Sequence, residues 1–132
     1  MDKPREQINT NSKAKCILVI DDDNTSCLLI REILEDFNVK IITIKSGKKA
    51  IEYIEKVKEM DLVIIDIRLP DINGFEILKR LKATSRFVPV IALTALVNKQ
   101  IKEICLNAGF NEFIEKPTDI DLLLSVINKY II

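Results

Sequence analysis

Residues 63–75 read VIIDIRLPDINGF, and the way this stretch breaks decides the fold. Leu62 to Ile65 are uniformly apolar, the pattern of a strand covered on both faces, as in parallel sheets packed between helices. The run stops at a carboxylate, Asp66, and the chain then turns through Pro70 to Asn73 and Gly74, where Asn is a good helix N-cap. A strand buried on both faces is a costly place for a charge. Asp66 therefore has to meet something at the strand's carboxyl end.

Working outward, the same alternation repeats. Short runs rich in Ile and Val at 16–20, 39–44, 61–66, 88–93 and 111–115 are followed by amphipathic segments near 24–37, 47–59, 74–84, 97–108 and 118–131. Asn24, Ser46 and Asn73 are expected N-caps, Thr118-Asp119 opens the last helix, and Gly109 closes the fourth. Five strand–helix pairs in strict alternation, (βα)5, predict an α/β domain: a doubly wound five-stranded parallel sheet with helices on both faces. Residues 1–14 are polar and aperiodic and read as a disordered N-terminal arm, leaving 15–132 as the domain, with no second domain expected.

Composition narrows the function classes. The chain has 132 residues, 48% hydrophobic and 30% charged, enough for one core. Twenty acidic residues balance twenty basic ones, which argues against direct binding of nucleic acid or a membrane surface. No stretch has the length of a membrane span and no signal-peptide core is present, so a cytoplasmic location is expected. Cys16, Cys27 and Cys105 lack metal-ligand spacing and read as reduced thiols. There is no histidine, which excludes Ser-His-Asp and Cys-His catalysis and histidine metal sites.

In an open parallel sheet, ligands bind beyond the carboxyl ends of the strands. Strand one ends in Asp21-Asp22-Asp23, strand three in Asp66, strand four in Thr94 and strand five in Lys116-Pro117. Each has an ordinary reading by itself: helix cap, turn residue, strand-end hydroxyl, solvated lysine. Their coincidence at one rim is what counts. Carboxylates that converge repel unless a cation joins them, and an all-oxygen donor set points to Mg²⁺ or Mn²⁺. A carboxylate beside such an ion can act as a nucleophile toward phosphorus, with the metal and Lys116 neutralising the transferring group.

The stretches ILVIDDD, DLVIIDIRLPDINGFEIL, VPVIALTA and FIEKP resemble the receiver domain of two-component response regulators, over residues 16–132. The resemblance implies a flavodoxin-like strand order 2-1-3-4-5. It implies that Asp66 is the phosphoacceptor, and that Asp21 and Asp22 are the acidic pair, Asp22 ligating the metal directly and Asp21 largely through water. The backbone carbonyl of Arg68 is a further implied ligand, Thr94 the switch hydroxyl, Lys116 the phosphoryl-contacting lysine and Phe113 the aromatic switch. A cis peptide at Lys116-Pro117 is implied as well. Arg68 and Leu96 occupy positions that tune dephosphorylation in the family. Such a domain is not an enzyme beyond catalysing its own phosphorylation and dephosphorylation. Its donor is a partner sensor histidine kinase or histidine phosphotransfer protein, since this chain has no histidine of its own.

Two rivals share parts of this reading. An aspartate-nucleophile phosphatase of the haloacid-dehalogenase type wants a second acid two residues after the nucleophile, where Arg68 stands. A flavodoxin-like FMN carrier wants a phosphate loop after strand one, where Asp21 to Asp23 would repel it. A phosphorylation-independent interaction module is a further alternative, against which the complete residue set argues.

Helical phase points to surfaces. Leu29, Ile30, Ile33, Leu34 and Phe37 make the expected buried stripe of the first helix, leaving Leu28 outward on the helix that in this family docks the donor. Val97, Ile101, Ile104, Cys105 and Ala108 are the expected stripe of the fourth helix, and Ile120, Leu123, Leu124, Ile127 and Ile131 that of the fifth. Leu106, Leu122 and Val126 then remain for a homodimer or effector surface formed by the fourth helix, fifth strand and fifth helix.

Overall fold

The computed structural model describes residues 14–84, 87–95 and 98–131. In chain order it has β1 (Lys15–Ile20), α1 (Asn24–Ile33), β2 (Val39–Ile44), α2 (Gly47–Lys56), β3 (Leu62–Ile65), α3 (Gly74–Lys82), β4 (Val90–Thr94), α4 (Lys99–Ala108), β5 (Glu112–Glu115) and α5 (Ile120–Ile131). The five strands form one parallel sheet in the order β2-β1-β3-β4-β5, with Ile17 opposite Ile41 on one side of β1 and opposite Leu62 on the other. Both the alternation and the strand order agree with the sequence reading. The expected arm lies almost wholly outside the described residues, as do Leu96 and Val97.

Successive residues of a strand point to opposite faces, and here that rule sorts the core into two layers. Leu18, Ile20, Val63, Ile65, Val90 and Ala92 join Ala50, Ile51 and Ile54 of α2, Ile77, Leu78 and Leu81 of α3, and Ile101 and Cys105 of α4. Their neighbours Ile17, Val19, Leu62, Ile64, Ile91 and Leu93 join Cys27 and Ile30 of α1 and Leu123, Val126, Ile127 and Ile131 of α5. β1, β3 and β4 are thus sealed on both faces, which is why their sequences do not alternate.

The caps refine the expected boundaries. Asp23, not Asn24, caps α1: its carboxylate accepts from the Thr25 N–H at 3.0 Å and from the Ser26 hydroxyl at 3.0 Å. Ser46 and Asn73 cap α2 and α3 as expected, and Gly109 closes α4 at φ +119°. Asp119 accepts from the Leu122 N–H at 3.2 Å, so α5 starts at Ile120 rather than 118.

Helical phase was right for Leu28, Leu106 and Leu122, all exposed, and wrong for four residues. Ile104 is 51% exposed, because α4 buries only the narrow line of Ile101 and Cys105 at the β5 edge of the sheet. Ile120 is 50% exposed; it is the first residue of α5, and a helical side chain leans toward the N-terminus, here past the end of the helix. Val126 is buried, since it shares the stripe of Leu123, Ile127 and Ile131 at three- and four-residue spacing. Ala108 is likewise exposed.

One tie between elements has no counterpart in the local sequence pattern. Asp71, in the loop between β3 and α3, accepts from the Gly47 N–H, the Lys48 N–H and the Ser46 hydroxyl, each at 3.0 Å. The two N–H groups are donors that an α-helix leaves unpaired at its first turn, so the loop carboxylate completes the N-terminus of α2. The Lys48 and Gly47 N–H groups hold the Asp71 carboxyl at about 2, below its ordinary 3.8. A carboxyl depressed in the folded state stabilises above its unfolded pKa and ceases to do so as the pH falls through the folded one. The difference in thermal midpoint between native protein and Asp71→Asn, followed by circular dichroism, is therefore expected in full at neutral pH. It should shrink as the pH drops below 3.8 and all but vanish near 2; a gap that stayed constant over that range would contradict the tie.

Candidate phosphoacceptor site

The strand order sets the site. β1 and β3 are neighbours, so Asp21, one residue past β1, and Asp66, one residue past β3, leave the sheet side by side. The ladder continues into them: the Asp66 N–H donates to the Ile20 carbonyl at 2.8 Å and the Asp21 N–H to the Ile44 carbonyl at 3.0 Å. A carboxylate oxygen from each of Asp21, Asp22 and Asp66 can be chosen so that all lie within 4.8 Å of one another. Asp21 and Asp66 are buried, at 1% and 6% exposure, while Asp22 is open to solvent.

Lys116 reaches this cluster from the end of β5. Its Nζ stands 2.8 Å from Asp21 Oδ2, 3.2 Å from Asp66 Oδ2 and 3.9 Å from Asp23 Oδ2. The Lys116 N–H donates to the Thr94 carbonyl at 2.9 Å, and the Lys116-Pro117 peptide is cis, as the resemblance implied. Burial pulls the ammonium's pKa down, but Asp21 and Asp66 more than offset it and leave it above the usual lysine value. The opposite balance holds at Asp21. Burial pushes its carboxyl up to about 6, against the lowering pull of Lys116 and of the Asp23 N–H, which donates to Oδ1 at 2.9 Å.

The second oxygen of Asp21 decides whether a metal fits. Oδ2 is buried and, among the described residues, receives no well-directed hydrogen bond; Lys116 meets it as an ion pair by distance alone. Three carboxylates and one ammonium leave a formal charge of −2 among these four groups, and all the anionic donors are oxygen. A hard divalent ion suits that set. The acidic pocket can hold a metal.

The loop after Asp66 is built to approach it closely. The Arg68 N–H donates to Asp66 Oδ1 at 3.0 Å, while the Arg68 side chain is exposed. The Gly74 N–H donates to the Ile67 carbonyl at 2.9 Å, and a Cβ at Gly74 would stand 2.9 Å from Ile67 Cα and 3.1 Å from the Asp66 carbonyl oxygen. Glycine is the residue that lets α3 start there. Thr94, at the end of β4, is fully buried. Phe113 in β5 is half-buried against the α2–α3–α4 layer and lines a surface recess of about 650 Å³ with Lys99, Lys102 and Leu122. The expected site residues of the four strand ends thus gather at one rim, with Phe113 set back along β5. The helix-cap reading open to Asp21-Asp22-Asp23 falls to Asp23, beside Lys116, whereas Asp71 as the loop tie was not foreseen. The partner of Asp71 lies 24 residues away and leaves no local mark.

Known proteins bear on this arrangement. A family model described as "Response regulator receiver domain" matches residues 17–128. The transcriptional regulatory protein ZraR of Escherichia coli O157:H7 is 30% identical over 113 residues, covering 86% of this chain and 25% of ZraR. The chain therefore spans about a quarter of the length of that relative. The polar-differentiation response regulator DivK of Brucella ovis is 29% identical over 119 residues, 89% of this chain and 96% of DivK. Among solved structures, the receiver domain of a sensor histidine kinase from Pseudomonas aeruginosa PAO1, described with a magnesium ion coordinated in its active-site cleft, superposes with a TM-score of 0.77 at 28% identity, covering 89% of this chain and 98% of that one. A match that runs from the middle of β1 into α5, over a sheet with the strand order the family requires, places this chain among the response regulator receiver domains.

Proposed function

We propose that the chain is the phosphoacceptor of a two-component phosphorelay, taking a phosphoryl group from a partner's phosphohistidine onto Asp66. The observation that carries this reading is the setting of Asp66: a buried carboxylate held by the Arg68 N–H and the Lys116 ammonium, with Asp21 and Asp22 within metal-sharing distance. Asp21, Asp22, Asp66 and the Arg68 carbonyl would hold Mg²⁺ or Mn²⁺, which when bound supplies charge neutralisation to the transferring phosphoryl oxygens.

An Asp66 oxygen attacks phosphorus, the P–N bond to the donor imidazole breaks, and the imidazole leaves with the bonding pair, so that an acyl phosphate forms on Asp66. Lys116, kept charged by its two carboxylate neighbours, would contact the new phosphoryl group. Thr94 would hydrogen-bond one of its oxygens once attached. Because Lys116 N–H is bonded to the Thr94 carbonyl, movement at Thr94 passes directly to β5, where Phe113 is the switch aromatic. The elements so altered are α4, β5 and α5, which carry the exposed Ile104, Leu106, Ile120 and Leu122, with Leu122 lining a recess beside Lys99 and Lys102. Those elements serve as the surface for a second copy or an effector. No activity toward other substrates is expected: the domain catalyses its own phosphorylation and dephosphorylation, and the phosphohistidine comes from a sensor histidine kinase or a histidine phosphotransfer protein.

Incubation with phosphoramidate and Mg²⁺ is expected to add one phosphoryl mass to the native chain, and none without a divalent ion or in Asp66→Asn. Equal labelling of that variant would sink the assignment. The donor surface has its own check in Leu28, 57% exposed on α1. Leu28→Glu should slow transfer from the cognate donor by about tenfold, the effect of losing roughly 1–2 kcal/mol of apolar contact. Labelling by phosphoramidate should be unchanged, and a parallel fall in both would place Leu28 outside the docking surface.

A further inference from the structure

The loop of residues 67–73 has to hold the Arg68 backbone against Asp66, and its own packing does so only in part. Ile67 and Leu69 are buried on either side of Arg68 and Gly74 locks the far end, but Pro70, Asp71 and Asn73 are exposed and Ile72 is half-buried. Ile72 packs against the α2–α3–α4 layer, and the polar tie from this outer part to α2 is the carboxylate of Asp71. Oδ1 accepts from the Gly47 and Ile72 N–H groups, and Oδ2 from the Lys48 N–H and the Ser46 hydroxyl. The approach is so close that a Cβ at Gly47 would stand 2.9 Å from Ile72 Cβ and 3.2 Å from Asp71 Oδ1.

We propose that Asp71 is a positioning residue for the metal site: by bolting the loop to the N-terminus of α2, it keeps the Arg68 backbone where its N–H holds Asp66 and its carbonyl can serve the cation. The proposal rests on the metal-dependent reading of Asp66 given above. A carbonyl ligand carries no charge to draw the ion in, so its contribution depends on being already in place. If the loop were loose, ion binding would have to order it, and the apparent affinity would fall by the fraction of time the loop spends competent.

The chemistry of the tie supplies two independent ways to loosen it. In Asp71→Asn an amide nitrogen must face at least one backbone N–H whichever way the group is turned, because both oxygens accept from such donors. Gly47→Ala leaves every charge in place but inserts a methyl group between helix and loop. Since alanine is the better helix former, any loss in that variant comes from the displaced loop and not from a weakened α2. Lys48→Ala is the control: it removes a nearby charge and keeps the N–H that Asp71 uses.

Mg²⁺ binding by isothermal titration calorimetry, and phosphoramidate labelling at limiting and saturating Mg²⁺, separate the outcomes. Asp71→Asn and Gly47→Ala are each expected to weaken Mg²⁺ binding by about tenfold, the scale typical of groups that hold metal ligands in place. Labelling should fall at limiting Mg²⁺ and recover at saturation, with Lys48→Ala like the native protein. Native affinity in both variants overturns the proposal, as does labelling that stays low at saturation. Should Asp71→Asn not fold, Gly47→Ala decides alone. A native protein that bound no Mg²⁺ would instead refute the underlying reading, and the proposal with it.

Discussion

Like charges brought to one edge of a sheet repel, and the rest of this molecule is arranged around that repulsion. Two carboxylates about 4–5 Å apart oppose each other by about 3–4 kcal/mol at an effective dielectric of about 20. The whole stability of a domain is about 5–15 kcal/mol, so an uncompensated cluster of Asp21, Asp22 and Asp66 would consume much of it. Lys116 answers with one charge, at 2.8 Å from Asp21 and 3.2 Å from Asp66. Burial, more than its like-charged neighbour, still pushes the Asp21 carboxyl up to about 6. The acidic pocket at this rim can hold a divalent cation, which would answer the remaining negative charge.

A fold can sustain such a site only if its scaffold does not yield. β1, β3 and β4 are sealed between two layers of aliphatic side chains, and their ladder hydrogen bonds run on into Asp21 and Asp66 themselves. The carboxylates are thus extensions of the most deeply buried strands. Around them, the connections are held by specific bonds: Asp23 caps α1, Gly74 admits the start of α3, and Asp71 joins the β3–α3 loop to α2. On the far side the geometry is looser. α4 buries little beyond Ile101 and Cys105, Ile104, Leu106 and Ile120 stand exposed, and the exposed Leu122 shares a recess with the half-buried Phe113. A densely packed centre thus stands beside a thinly packed face, the part of a fold that opens most readily.

The fold was legible because each buried strand is a short apolar run ending in a polar residue, and each helix carries its own cap signal. VIID alone implies both the doubly covered strand and the rim where ligands meet. The rim residues followed, since strand ends in a parallel sheet must neighbour one another. What escaped depends on tertiary fit. Val126 and Ile120 were assigned from angle alone, yet burial also depends on whether the sheet extends beneath that turn; under Ile120 it does not. Asp71 read as one more turn residue because its three helix donors lie more than twenty positions back. The cap reading covered the whole acidic triplet and did not single out Asp23.

The central claim is that the rim carboxylates are held together at a cost which a divalent ion relieves. Urea unfolding of the native protein and of Asp21→Asn/Asp22→Asn, each in chelator and in saturating Mg²⁺, addresses it directly. Without metal the double variant should be the more stable of the two, and Mg²⁺ should raise the midpoint of the native protein while leaving the variant where it was. A native midpoint indifferent to Mg²⁺, or a variant less stable than the native protein in chelator, would contradict it.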